Sequence, residues 1–281
     1  MYKVVRKERI ADVVTLLEVE ASAIAKKAKA GQFVIVRLNE TAERIPLTMS
    51  SWDPDAGTIT IIFQHAGCST HQLAMVEVGD EIRDVVGPLG RPTEVERYGT
   101  VVCVGGGIGV AVLRPVAKAM KDAGNTVISI IGARDKSLII LEDEMRAASD
   151  ELHVTTDNGS YGRKGFVSDV LSDLIKEGRK IDLVVAIGPV PMMRVVSDLT
   201  RPHGLKTMVS LDSIMIDGTG MCGGCRVTIG GESKFTCVDG PDFDGHLVDW
   251  DELVLRKKMY LEQEKETLER FQEECARRCA R

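Results

Sequence analysis

No stretch of this chain reaches the roughly 18 consecutive apolar residues that a membrane-crossing helix needs, so no spanning role is expected. A basic excess is lacking as well: 36 Lys and Arg stand against 42 Asp and Glu, for a net charge of −6. Without a basic stripe there is no electrostatic footprint for nucleic acid. The amino terminus, from Met1 to Arg6, enters alternating apolar residues directly, without the h-region of a secretory leader. No internal repeat or low-complexity tract is found, which argues against a repeat array or a linker-rich chain. The seven cysteines are unevenly spaced and two form a C-x-x-C in a glycine-rich loop, a usage that fits a reducing cytoplasm rather than a disulfide framework. A cytoplasmic protein with no membrane or nucleic-acid partner is therefore expected. The apolar content of 44% and charged content of 28% suit a soluble globular core, and 281 residues suffice for two modest domains and an appendage.

The most informative residues are Asp217, Cys222, Cys225 and Cys237. Cys222 and Cys225 flank two glycines, so the loop can wrap a metal centre with its amides turned inward. Cys237 follows a segment rich in β-formers, and a hairpin over residues 226–237 would carry it back across. A plant-type [2Fe-2S] loop reads C-x4-C-x2-C…C. This loop has that spacing, with Asp217 in the place of the first cysteine. Zinc can also take three thiolates and a carboxylate, a C-x-x-C can serve as a redox dithiol, and an Asp before a Gly can simply shape a turn. Further on, Cys275 and Cys279 lie one helical turn apart near the end, as a metal pair or as two bland thiols on a frayed tail.

Residues 1–98 read as short β-branched strands, at 13–19, 32–37, 58–63 and 78–90, which predicts a small antiparallel barrel. From residue 99 the texture changes. A buried strand at 100–104, the turn Gly105, Gly106, Gly107, Ile108 and Gly109, and a helix over 110–122 are followed by strands at 126–131, 152–155 and 182–187, with a last one at 206–211. Strand–helix alternation of this kind predicts a parallel α/β sheet over 99–211. The metal-loop segment is placed at 212–250 and a charged, i,i+4-paired helix at 251–281.

Absent side chains at Gly105–Gly109 let the backbone approach a pyrophosphate. Arg134 after the next strand is either a contact for the adenosine end of a nucleotide or a solvated loop charge. The segment Arg44-Ile45-Pro46-Leu47-Thr48 is set between the predicted strands, and Phe63, Gly67, Ser69 and Thr70 follow, the last three at an expected helix start. Taken alone, these are a Pro-containing turn with a surface Arg and an ordinary helix cap.

Together they resemble the ferredoxin-NADP reductase superfamily, whose barrel carries an Arg-x-(Tyr/Pro)-(Ser/Thr) flavin motif. Here Leu47 separates Pro46 from Thr48. The resemblance implies FAD held by Arg44, Pro46, Leu47, Thr48, Phe63, Gly67, Ser69 and Thr70. It implies NAD(H) held by Gly105, Gly106, Gly107, Ile108, Gly109, Arg134, Asp157, Gly188, Pro189 and Met192. The acidic run at 142–144 favours NADH over NADPH if it lies nearby, and otherwise reads as an exposed helix start.

The order of barrel, nicotinamide domain and C-terminal cluster loop is similar to one branch. That branch holds the electron-transfer subunit of dihydroorotate dehydrogenase B, the small subunit of NADH-dependent reduced ferredoxin:NADP oxidoreductase (also described as a sulfide dehydrogenase subunit) and some hydrogenase subunits. Asp217 in the first ligand position resembles the second of these. The likeness implies a cytoplasmic heterodimer in which electrons pass between NAD(H), FAD and a [2Fe-2S] cluster, to or from a larger flavin/iron–sulfur redox subunit. Ferredoxin and NADP(H) would be met through that partner, as in electron bifurcation. A reading of another class is a zinc-containing, nucleotide-sensing regulatory module.

Overall fold

The computed structural model describes residues 1–279, with side chains through Arg277; the Cys279 side chain singled out above lies outside the described residues. Alternating apolar residues in the first third produce seven antiparallel strands: β1 (Tyr2–Ala11), β2 (Val14–Glu20), β3 (Phe33–Arg37), β4 (Ile45–Asp53), β5 (Thr58–Gln64), β6 (Glu81–Ile82) and β7 (Asp84–Leu89). Their order is β6-β1-β2-β5-β4-β3-β7. Arg83 alone separates β6 from β7, the two opposite edges of this sheet, so the ribbon must curl until its edges meet. Leu17, Val34, Met49, Ile61 and Phe63 fill the interior. Two short helices, α1 (Ser22–Ala25) and α2 (Cys68–Ala74), accompany the barrel.

The segment Arg44–Ser50 is not a turn between strands, as its proline suggested. Ile45 opens β4, and Pro46 pairs with Ile35 on β3. Proline is tolerated there because β4 does not pair with β5 until Met49, so at Pro46 the strand is locally an edge. A bulge follows, where the β4–β5 register slips between Met49 and Ser51 and leaves Ser50 as the extra residue.

Near-continuous Val and Ile runs then form a parallel sheet buried on both faces. Its strands are β8 (Thr100–Gly106), β9 (Thr126–Ala133), β10 (Glu151–Thr156), β11 (Arg163–Lys164), β12 (Leu183–Ile187) and β13 (Thr207–Ser210). The order β11-β10-β9-β8-β12-β13 reverses direction between β8 and β12. Helices α3 (Gly109–Asp122), α4 (Glu142–Ala147), α5 (Val167–Lys176) and α6 (Val190–Thr200) make the connections. One apolar cluster runs from Val14, Leu16 and Ile62 of the barrel into Val101 and Val185 of the second sheet and Leu113 of α3. Arg114 on α3 also donates to the Ser50 carbonyl at 3.4 Å.

After β13 the chain leaves the sheet as an irregular loop. It forms the hairpin β14 (Arg226–Ile229) and β15 (Glu232–Phe235), turns through α7 (Thr236–Asp239), and returns as β16 (Asp242–Asp244), antiparallel to β13. The expected single terminal helix is two helices, α8 (Trp250–Lys257) and α9 (Leu261–Cys279). Trp250 and Leu253 bury α8 against Val209 and Val227, while α9 is largely exposed and touches α2. Among the described residues no helix is long and apolar enough to cross a membrane.

Candidate functional site

In an open parallel sheet, ligands settle at the carboxyl ends of the strands where the strand order reverses. A cavity of about 580 Å3 lies at that point, between the ends of β8 and β12 and the barrel. Gly106, Gly107, Arg134, Asp157, Pro189 and Met192 line it from the sheet, and Val14 and Gln64 line it from the barrel. Two glycines make the turn possible. Gly107 has φ +55°, which disfavours any side chain, and a Cβ on Gly109 would lie 2.4 Å from the Ile187 carbonyl oxygen. Ile108 lines the cavity as well, whereas Gly105 and Gly109 belong to the same turn without lining it, and Gly188 packs beneath Met192.

One polar group in the cavity wall was not singled out from the sequence. Thr155, at the carboxyl end of β10, is 1% exposed, and its hydroxyl has no hydrogen-bond partner. A buried hydroxyl without a partner is costly, so its place in the wall suits a ligand that supplies one. Thr155 is the last residue of the strand expected at 152–155, so the strand-end rule applied to that strand would have found it. The acidic run starts α4, and its Glu142 accepts from Arg146 at 2.7 Å and from the Tyr161 hydroxyl at 3.3 Å. The cavity wall stops short of it, at Leu138 and Ile140.

The residues expected to hold FAD separate into two groups. Pro46, Leu47 and Thr48 form a half-buried run on β4, opposite Ile35, Val34 and Phe33. Arg44 precedes them, and its Nε donates to the Ile216 carbonyl, 2.9 Å away. The Gly67–Thr70 turn does start a helix. However, Ser69 donates its hydroxyl to Glu43 at 2.6 Å, while the Thr70 hydroxyl closes its own turn on Gly67. The Phe63 side chain is 2% exposed in the barrel core and points at no open surface. His65 is a supporting residue, within 2.8 Å of the Thr15 hydroxyl.

The metal loop lies flat on the barrel. A Cβ on Gly218 would come within 2.7 Å of Leu89 Cδ1 and 2.8 Å of Ile35 Cγ1. Met215, Cys225 and Cys237 share an apolar cluster with Phe33 and Ile35 of β3. The four candidate ligands form two pairs. Cys225 Sγ stands 3.2 Å from Cys237 Sγ, and Cys222 Sγ stands 3.4 Å from Asp217 Oδ1. The Asp217 carboxylate also accepts from the amides of Thr219 at 3.1 Å and of Met221 and Cys222, both at 3.0 Å. Burial works to raise its pKa, but the Thr219 amide, the Cys222 thiol and the Cys222 amide outweigh it and hold the carboxyl below its ordinary value. Burial, then the neighbouring Cys225, pushes the Cys237 thiol up to about 12, so ligation there must expel a proton.

Among the described residues no three His, Cys, Asp or Glu side chains form a single cluster; the candidate ligands stand in two pairs instead. The C-x-x-C cysteines are not partners of one another either, since Cys222 faces Asp217 and Cys225 faces Cys237. Two ligand pairs suit a two-iron centre, each pair serving one iron.

Residues 212–249 match the family model described as the iron–sulfur cluster binding domain of dihydroorotate dehydrogenase B. A dihydroorotate dehydrogenase B (NAD(+)) electron transfer subunit homolog from Thermotoga maritima is 48% identical over 269 residues, 96% of this chain and 95% of the relative. The dihydroorotate dehydrogenase B electron transfer subunit of Geobacillus thermodenitrificans is 34% identical, over 85% of this chain and 94% of that one. A chain of the NADH-dependent reduced ferredoxin-NADP oxidoreductase structure, solved in connection with flavin-based electron bifurcation, superposes with a TM-score of 0.92 at 47% identity. It covers 96% of this chain and 98% of its own.

Proposed function

The chain belongs to the family of dihydroorotate dehydrogenase B-type electron-transfer subunits, and from that premise we propose that it passes electrons between NADH, FAD and a [2Fe-2S] centre to or from a larger redox subunit. The complex proposed is an electron-bifurcating NADH/ferredoxin:NADP+ transhydrogenase, with ferredoxin and NADP(H) handled by the partner. The observation that carries this reading is the seating of the cluster loop on the barrel through its inner ligand pair. Met215, Cys225 and Cys237 pack on β3, and β3 pairs with the β4 run Pro46–Thr48 assigned to FAD.

Each part of the chain has a stated task in this reading. The Gly105–Gly109 turn admits the NADH pyrophosphate, Arg134 and Asp157 flank it, and Thr155 supplies a hydroxyl from the wall. Pro189 and Met192 close the far side of the cavity, with Gly188 beneath them. The Pro46–Thr48 backbone and the Gly67–Thr70 turn hold the flavin, and Arg44 reaches from there to the cluster loop. When bound, FAD exchanges a hydride pair for single electrons and the iron–sulfur centre carries them one at a time.

A second reading has support in the 48% relative, whose description names a dihydroorotate dehydrogenase. The partner decides between them: copurification with a dihydroorotate-oxidising subunit would replace the transhydrogenase reading. The direct test is flavin, iron and sulfide analysis of the anaerobically purified protein, then EPR after NADH addition to wild type and Asp217→Cys. About one flavin and about two irons per chain, with a signal altered by the substitution, are expected. An unchanged signal removes Asp217 from the centre, and a protein without iron and flavin sinks the electron-transfer reading.

A further inference from the structure

Three arginines distant in sequence converge on the cluster loop. Arg44, just ahead of β4, donates from Nε to the Ile216 carbonyl at 2.9 Å. Arg256 on α8 donates from Nη2 to the Gly224 carbonyl at 3.1 Å. Arg91, in the stretch after β7, donates from Nε to the Val238 carbonyl at 3.1 Å. Every one of these carbonyls belongs to a residue beside a candidate ligand: Ile216 precedes Asp217, Gly224 precedes Cys225, and Val238 follows Cys237. A carbonyl and the next residue's N–H share one planar peptide unit. Fixing the carbonyls of Ile216 and Gly224 therefore fixes which way the N–H groups of Asp217 and Cys225 point.

We propose that Arg44 and Arg256 are positioning residues that aim the ligand-bearing peptides, that Arg91 adds its charge beside Cys237, and that together they raise the reduction potential of the centre. The proposal rests on the iron–sulfur reading above. The potential of such a centre follows its net charge and the hydrogen bonds around it. One added electron makes a site of three thiolates and a carboxylate one unit more negative. A guanidinium, charged at every working pH, favours that more negative state. Lysine would carry the charge but not the planar fork that grips a carbonyl in a set direction.

The three contributions differ in a predictable order. Arg256 makes its contact in a partly buried setting, whereas the Arg44 contact is exposed. Arg91 is the most screened: its side chain is 70% exposed and stands 3.7 Å from the Asp239 carboxylate. Salt and water weaken exposed charges, so the effect should fall from Arg256 to Arg44 to Arg91.

The experiment is an EPR-monitored redox titration of the full-length holoprotein, with iron content measured alongside, for Gln and Lys at each position. At a fixed poise, Arg256→Gln should lower the ratio of reduced to oxidised centre about tenfold, equivalent to ~59 mV for one electron. Arg44→Gln should shift less and Arg91→Gln least. The Lys variants should recover most of the shift yet keep an altered EPR line shape. If Arg256→Gln depletes iron, recovery of iron by Arg256→Lys supports the proposal, and equal loss in both overturns it. Unshifted potentials in fully loaded Gln variants overturn it as well. A wild type without any iron–sulfur signal fails at the earlier step and sinks the functional reading itself.

Discussion

Cys222 stands on an exposed rim with Asp217 half-buried against it and Met221 89% exposed beside them, whereas Cys225 and Cys237 are each 1% exposed against the barrel. Hydrogen bonds hold the rim pair: three backbone amides and a thiol converge on one carboxylate. Apolar contact with Phe33, Ile35 and Met215 holds the inner pair. A polar rim can exchange its bonds for water or for a partner's groups at little cost, while a packed thiol cannot move without opening a cavity. One half of the site is therefore set by the fold, and the other half is free to be tuned by substitution or by docking.

The sharpest way to break this contrast is to remove one ligand from each pair. Cys237→Ala and Cys222→Ala should both lose iron, by more than the ~10–100-fold affinity loss that outer-shell changes cause. Only Cys237→Ala should also destabilise the iron-free chain, by about 1 kcal/mol, against under ~0.5 kcal/mol for Cys222→Ala. Equal melting temperatures for the two apo variants would erase the distinction between packed and polar halves.

A smaller loss of iron, with a stability cost of its own, separates the loop's two faces. Gly218→Ala puts a methyl against Leu89 and Ile35 at φ +77°, and should cost about 1–3 kcal/mol with a parallel drop in iron loading. Gly223→Ala, at φ +66° with its nearest atom 3.8 Å away, should cost only the backbone part, about 1–2 kcal/mol. Chemical denaturation of both variants reads the difference, and an inverted order would show that the barrel does not seat the loop.

The smallest effect lies outside the loop. Gly107→Ala, at φ +55° in open space, should weaken NADH binding several-fold through a strain of about 1–2 kcal/mol. The iron–sulfur spectrum should stay unchanged. A spectral change would mean that the nucleotide turn and the cluster loop are mechanically linked.

What the sequence disclosed follows from how local each signal is. The buried strand β8 with its glycine turn, and the hairpin that carries Cys237, are written in contiguous residues, and both appear where periodicity and glycine spacing put them. Strand β4 was misread because Pro46 is a local breaker, whereas its pairing with Ile35 is tertiary. The break between α8 and α9 escaped because the i,i+4 charge pattern runs on through it, and only Trp250 and Leu253 have a core to join. Strand β16, three residues with two aspartates, has no β signal apart from its neighbour β13. The contacts of Arg44, Arg91 and Arg256 join residues up to 172 positions apart, and no spacing rule reaches that far.

One consequence follows from the return of the chain as β16. Because β13 and β16 pair with each other, the cluster segment leaves and re-enters the second sheet at adjacent strands, with its ends already clamped. Closing such a loop adds little further entropy cost once the sheet exists. The scaffold can thus complete its own folding before any iron arrives, and metal delivery becomes a late maturation step on a finished molecule. Amide hydrogen exchange on iron-free protein checks this: protection should persist through β8–β13 and β16 while residues 214–224 exchange freely. Loss of protection across the whole second sheet would instead make metallation a condition of folding.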